Sequence, residues 1–335
     1  MSASFLRRLL PLGVALAAAT SLSLTLPAPR AHAGPVPAQP SQPDHAQNVP
    51  PQPTKAGKGC TIATDQDGAT SAKYEFTSGG IERTYILRLP KGYNKKSGWP
   101  LIIAFHGRGS TGTELEGYSG LSQLPAVVAY PDGVIGTGTG YRKAWQGAPY
   151  AAPGVDDVAF TQELLAELKQ GFCIDSDRVF ATGKSNGAGF AALLGCRLPD
   201  TFAAVATVAG ALYPGTREGC TGRPIPVLAI HGTGDSTIPF DGDADRGLPA
   251  IPDFVAGWVA INQCSGKPRT VVIKPDVTTK TWSGCTNGGR VQQVAIKDGG
   301  HVWPGAITYS GGGYVSQTIK ASNVIWRFLA SHELP

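Results

Sequence analysis

Residues Gly183-Lys184-Ser185-Asn186-Gly187 form a G-x-S-x-G pentapeptide, a pattern that presents a serine hydroxyl on a sharp strand-to-helix turn. Glycine makes up 44 of the 335 residues, so the pentapeptide alone is a weak signal. Its flanks make it specific. RVFATG (178–183) reads as a strand buried on both faces, and GAGFAALLGC (187–196) as a helix packed on a sheet. A serine hydroxyl is a poor nucleophile until a positioned base takes its proton. The chain offers six histidines, of which His32 lies in the expected signal peptide, His45 in the expected leader and His332 in the C-terminal tail. In a strand–turn–helix architecture of this kind the acid and then the base follow the nucleophile along the chain. His106 precedes Ser185, and only Asp200 separates Ser185 from His231. His301, in DGGHVWPG after the expected strand 291–296, has Asp235 upstream and fits the base. Asp235, in HGTGDSTIP just beyond another strand end, fits the residue that fixes the imidazole tautomer. Asp241, Asp243 and Asp245 lie in a more polar, solvated stretch.

Acyl transfer also needs two N–H groups aimed at the developing oxyanion. Asn186, directly after the serine, supplies one, and Arg108 in His106-Gly107-Arg108-Gly109 the other, with Gly107 as second choice. His106 reads as a structural hydrogen-bonding residue. Ser185, Asp235 and His301 together describe acyl transfer through an acyl-enzyme that requires no metal or cofactor.

These residues need a scaffold that brings distant loops together. Lys73–Phe76 and Ile81–Leu89 have the two-residue rhythm of antiparallel strands. PLIIAF (100–105), AVVAY (126–130), RVFATG, AAVATVAG (203–210) and PVLAIHG (226–232) are short unbroken apolar runs that suit a parallel sheet covered on both faces. Helical patterns lie between them. Asp156 and Asp157 can cap a helix striped by Phe160, Leu164, Leu165 and Leu168, and further helices fit residues 186–197, 254–261 and 319–329. Alternating strands and helices predict a doubly wound α/β domain with its site at the carboxyl ends of the strands.

The catalytic domain is expected over 59–335. Residues 1–33 have the layout of a signal peptide: Arg7 and Arg8, an apolar run to about Leu26, and Ala31-His32-Ala33 at the cleavage position. That run is too short and too interrupted by hydroxyl residues for a membrane span. Residues 34–58, rich in proline and glutamine, read as a flexible leader. Of 29 basic residues, Arg7, Arg8 and Arg30 leave with the signal peptide, so 26 face 24 acidic ones. With no basic run, nucleic acid is a poor partner. The mature chain keeps six cysteines and no C-x-x-C pair, which favours disulfides over zinc. Short separation favours Cys196 with Cys220 and Cys264 with Cys285, leaving Cys60 for Cys173.

HGRGST (106–111), YPDG (130–133), GVDDVAFTQELL (154–165), CIDSDRVFATGKSNG (173–187), PIPVLAIHGTGD (224–235) and GGHVWPG (299–305) together resemble the secreted feruloyl esterase, acetylxylan esterase and polyhydroxybutyrate depolymerase group of α/β hydrolases. The resemblance covers nearly all of the chain from Cys60 onward. It implies the α/β-hydrolase fold, Ser185, Asp235 and His301 as the triad, and oxyanion donors near Arg108 and Asn186. It also supports the three disulfide pairings. HGRG with Cys-Ile-Asp is most similar to the feruloyl esterase branch, whereas Ser-Asn-Gly is equally at home among the depolymerases. The implied substrate is a hydroxycinnamoylated polysaccharide fragment acted on by a secreted monomer. Acetylated xylan and short hydroxybutyrate esters are the alternatives. A cinnamoyl ring wants aromatic walls, for which Tyr141, Trp145 and Trp303 are candidates, Trp303 having packing beneath its loop as the competing role. No Ser/Thr-rich linker or second domain is expected after the hydrolase segment, which favours a soluble or loosely held ester, a hydroxybutyrate oligomer included, over an insoluble polymer. A binding protein on an inactive scaffold would need at least one triad position lost, and all three are present.

Overall fold

The computed structural model describes Cys60, Gln66, residues 68–220 and residues 222–335, so the expected signal peptide and leader lie outside the described residues. Two alternating segments, β1 (Ser71–Ser78) and β2 (Ile81–Arg88), pair antiparallel through a Gly79-Gly80 turn. The apolar runs become β3 (Trp99–Phe105) and β4 (Val127–Pro131), followed by a two-residue ribbon of β5 (Val134–Ile135) and β6 (Lys143–Ala144). They continue as β7 (Ile174–Lys184), β8 (Ala204–Val208) and β9 (Val227–Gly232). An antiparallel set of β10 (Arg269–Lys274), β11 (Val277–Trp282) and β12 (Val291–Ile296) completes the strands.

One ten-stranded sheet runs in the order β1-β2-β4-β3-β7-β8-β9-β12-β11-β10. Neighbours from β4 to β12 are parallel, and both edges are antiparallel. The every-residue burial of β3, β4, β8 and β9 explains their unbroken apolar sequences. This is the α/β-hydrolase arrangement. From β3 the chain turns one way to β4 and then the other way to β7, so the strand order reverses between β3 and β7. A crevice opens at such a reversal, outside the carboxyl ends of the strands.

The helices are α1 (Gly112–Ser119), α2 (Asp157–Gly171), α3 (Asn186–Arg197), α4 (Ile251–Ile261) and α5 (Ala321–Leu329). Their apolar faces close two cores, one on each face of the sheet. In α2 the cap is Asp156, whose carboxylate accepts from the Val158 and Ala159 N–H groups. Asp157 instead turns inward and pairs with buried Arg83 at 2.9 Å. The guanidinium of Arg83 also lies 3.6 Å over the Phe160 ring, which ties β2 to α2. Among the described residues no helix is long and apolar enough to cross a membrane.

All six cysteines are paired as Cys60–Cys173, Cys196–Cys220 and Cys264–Cys285. The first spans 113 residues of sequence, so its loss frees the largest loop in the unfolded chain. Loop-closure entropy alone then accounts for about 4–5 kcal/mol. Replacing both Cys60 and Cys173 with serine should lower the free energy of unfolding by about that amount in a urea titration. An unchanged unfolding curve would show that this bridge does not hold the domain.

Candidate active site

Ser185 sits between β7 and α3 with φ 56° and ψ −121°, a strained conformation for a residue with a Cβ. The turn is tight because its glycines let neighbouring chains touch. A Cβ on Gly187 would overlap the carbonyl oxygens of Phe105 and His106, and one on Gly183 would strike the Gly187 carbonyl. The Ser185 N–H donates to Val208 O at 3.0 Å and its own carbonyl accepts from Ala211 at 2.9 Å, which pins the turn from the β8 side.

Asp235 and His301 stand on the loops after β9 and β12. These loops are joined by backbone hydrogen bonds, Thr233 N–H to Ile296 O at 2.8 Å and Gly234 N–H to Gly299 O at 2.9 Å. Gly232 permits that contact, since a side chain there would overlap Gly299. The outcome is a hydrogen bond from His301 Nδ1–H to Asp235 Oδ2 at 2.8 Å. Asp235 is only 3% exposed, and its other oxygen accepts from Thr237 N–H at 2.9 Å and Ile238 N–H at 2.8 Å. His231 lies 3.4 Å from Oδ2 while its Nε2–H donates to Ile238 O at 2.9 Å. Burial favours the neutral acid, but the hydrogen bonds from His231 and His301 outweigh it and hold the Asp235 carboxyl well below the usual carboxylate range. For His301, burial lowers the pKa below the ordinary histidine value, Asp235 opposes this, and the positive charge of Lys184 adds to the lowering. The imidazole is therefore a neutral base at pH 7, with the proton on Nδ1 and the lone pair on Nε2.

Ser185 and His301 line the same cleft, which encloses about 820 Å³. In this conformation the hydroxyl makes no hydrogen bond to the imidazole among the described residues, a looseness common before substrate binds. Gly107 packs over the serine, and a Cβ placed on it would be 3.3 Å from the Ser185 Cβ. The neighbouring Arg108 N–H has no acceptor among the described residues. As the first residue of α3, Asn186 has an N–H without an intrahelical acceptor. Arg108 thus lines the cleft of Ser185 next to the glycine that packs on it, and Asn186 adjoins the serine directly.

The aromatic wall differs from expectation. Trp145 is 0% exposed and Trp303 is 1% exposed, so neither indole offers a surface to a ligand. Trp145 stacks on Phe190, donates from Nε1 to His106 O at 3.0 Å and from its backbone N–H to Asn186 Oδ1 at 2.7 Å, and its carbonyl accepts from Asn186 Nδ2–H at 3.2 Å. It braces the His106–Gly107 turn and the start of α3 from beneath. Trp303 packs under its loop, near Tyr118. Tyr141 is 87% exposed and is not among the cleft residues, although Arg142 beside it is. The aromatic wall is instead made of Tyr118, Tyr150, Tyr213 and Tyr309, which carry no periodic or motif signal. His106 is fully buried, accepts from Gly133 N–H at 2.9 Å, and has its pKa pushed down to about 4 by burial, so it stays neutral.

A doubly wound sheet, a glycine-built elbow at its strand reversal and a histidine in the same cleft backed by a buried aspartate define an α/β hydrolase. Comparison with known proteins gives the family. The family described as esterase PHB depolymerase matches residues 84–239. The chain is 31% identical over 265 residues to the putative esterase NocK of Nocardia uniformis subsp. tsuyamanensis, covering 71% of this chain and 75% of that protein. It is 29% identical over 233 residues to feruloyl esterase B of Piromyces equi, covering 65% of this chain but only 42% of that protein. Its fold matches the acetyl xylan esterase from Aspergillus awamori with a TM-score of 0.53 at 14% identity, over 77% of this chain and 99% of that one. The chain belongs to the feruloyl esterase, acetylxylan esterase and polyhydroxybutyrate depolymerase group, and is a carboxylic ester hydrolase.

Proposed function

We propose that this chain is an exported serine esterase that releases ferulic or related hydroxycinnamic acids from plant cell-wall polysaccharide esters. The observation that carries the reading is one cleft holding Ser185 on a strained elbow together with His301, whose Nδ1 is fixed by Asp235 at 2.8 Å. In the first half-reaction the Ser185 hydroxyl adds to the ester carbonyl while His301 Nε2 takes its proton. The oxyanion is held by the N–H groups of Arg108 and Asn186. Collapse of the tetrahedral species expels the alcohol, which receives the proton from His301, and leaves an acyl-serine. Water then repeats the sequence, deprotonated by His301, and the acid departs.

The tyrosine-walled cleft suits a flat aromatic acid, since phenol rings offer both a stacking face and a polar edge. The Piromyces relative bears the name feruloyl esterase. Three disulfides suit an oxidising compartment outside the cytosol, in keeping with the signal-peptide layout. The family's description favours hydroxybutyrate esters as the second reading. Rates on methyl ferulate, 4-nitrophenyl acetate and hydroxybutyrate dimers separate these. Methyl ferulate should lead in kcat/KM by at least about tenfold, the order of one well-made aromatic contact. A lead for hydroxybutyrate dimers would transfer the chain to the depolymerase branch.

A further inference from the structure

The residue before the serine is a lysine, and the proposed acyl transfer does not use it. Lys184 is 7% exposed, yet its ammonium reaches the cleft that holds Ser185, His301 and Gly311. Its Nζ lies beside the backbone at Gly311, where an added Cβ would come within 2.9 Å. Among the described residues it has no hydrogen bond and no ion pair. Asp235 attracts it from a distance, but both oxygens of that carboxylate are already taken by His301, Thr237 and Ile238. A buried ammonium without a partner is costly to keep, and a buried cation is normally paired. The rest of the cleft does not neutralise it. Arg108 and Arg142 also line the wall, Arg246 is held by Asp243 at 3.4 Å, and the single acid of the lining, Glu114, is engaged by the Ser110 hydroxyl at 2.6 Å.

We propose that Lys184 is a carboxylate-recognising subsite, so that this esterase prefers esters carrying a carboxylate close to the scissile bond over neutral esters of the same size. The proposal rests on the esterase reading above and narrows its substrate class. An anion here would supply the missing partner and neutralise the positive charge beside His301. Two sources share that chemistry: an acid group on the acyl chain, and one on the alcohol, as a saccharide bearing a uronic acid would present. Burial has pushed the Lys184 pKa down to about 8, with Asp235 opposing the shift, so the subsite should switch off within an accessible pH range. His301 and Asp235 do not titrate there, because both are held below their ordinary values.

Two matched pairs of esters test this. Mono(4-nitrophenyl) succinate against 4-nitrophenyl butanoate places the charge on the acyl side, and carboxymethyl ferulate against ethyl ferulate places it on the alcohol. At pH 7 and low salt the anionic member of at least one pair should lead by about tenfold in kcat/KM, the scale of one charge-assisted hydrogen bond. That ratio should fall towards one as the pH rises through about 8. In Lys184→Met it should be near one at every pH. In Lys184→Arg, whose charge does not titrate, it should persist at pH 9.5. The idea is sunk if neither anionic ester is preferred, or if the preference survives unchanged in Lys184→Met. Inertness towards all four esters in the parent protein would overturn the esterase reading and this proposal together.

Discussion

Replacing Ser185 by alanine should lower kcat towards 4-nitrophenyl acetate by about 10⁴–10⁶-fold, the range for removing an activated serine. The fold should be untouched. The hydroxyl makes no hydrogen bond to the imidazole, and the strained φ of 56° is enforced by the neighbouring chains whichever small side chain is present. Thermal unfolding should therefore shift by less than about 0.5 kcal/mol equivalent. Single-turnover kinetics provide the check: the parent should show a burst of nitrophenol and a trapped acyl adduct at residue 185, and the alanine variant neither. Turnover by Ser185→Ala at the parent rate would remove the serine from the mechanism.

Asp235→Asn should cost about 10⁴-fold in kcat while leaving binding nearly unchanged, because it reverses the tautomer rather than emptying the site. The amide oxygen can still accept from Thr237 and Ile238, so the turn after β9 survives. The amide NH₂ group, however, now faces His301 Nδ1 and demands a lone pair there. The imidazole proton moves to Nε2, where the base is needed, and no lone pair is left there to take the proton of Ser185 in the reaction. Stability changes with a definite sign. A carboxyl held below its unfolded value of about 3.9 stabilises the folded chain above that pH, and the contribution is lost as the pH falls. The parent should therefore lose stability below about pH 4 more steeply than the asparagine variant, as urea midpoints from pH 6 down to pH 3 would record. Equal acid limbs, or an asparagine variant with parental kcat, would show that Asp235 does not orient the base.

Much of this site is legible in the chain because few residues compete for each role. With six histidines and a fixed order of partners, elimination leads to His301, and the structure joins it to Asp235 in the cleft of Ser185. The parallel strands are equally legible, since burial on both faces leaves an unbroken apolar run. The hairpin of β10 and β11 is not legible in the sequence. β10 is wholly exposed at the sheet edge, so RTVVIK carries no burial pattern to betray its pairing. α1 is a short, glycine-bearing segment whose register no apolar stripe marks. The orientation of the tryptophans is illegible for a related reason. Proximity in sequence to a glycine-rich loop says that an indole is near the cleft, but not whether it faces the ligand or the core. For Trp145 the deciding facts are tertiary: Phe105 and Phe190 come from distant strands and helices to enclose it. The tyrosine wall is scattered over α1, two loops and the segment after β8, and only folding assembles it.

Trp145 links the carbonyl before the Gly107 turn to the Asn186 side-chain amide, so the two arms of the proposed anion pocket hang from one rigid plate inside the main core. Such a mounting leaves little dipole reorientation for the moment when charge appears, which is where fixed donors gain over solvent. It also means the pocket has no hinge of its own. On heating, catalysis should fade together with the cooperative melting of the whole interior, without an earlier, separate softening of the reactive centre.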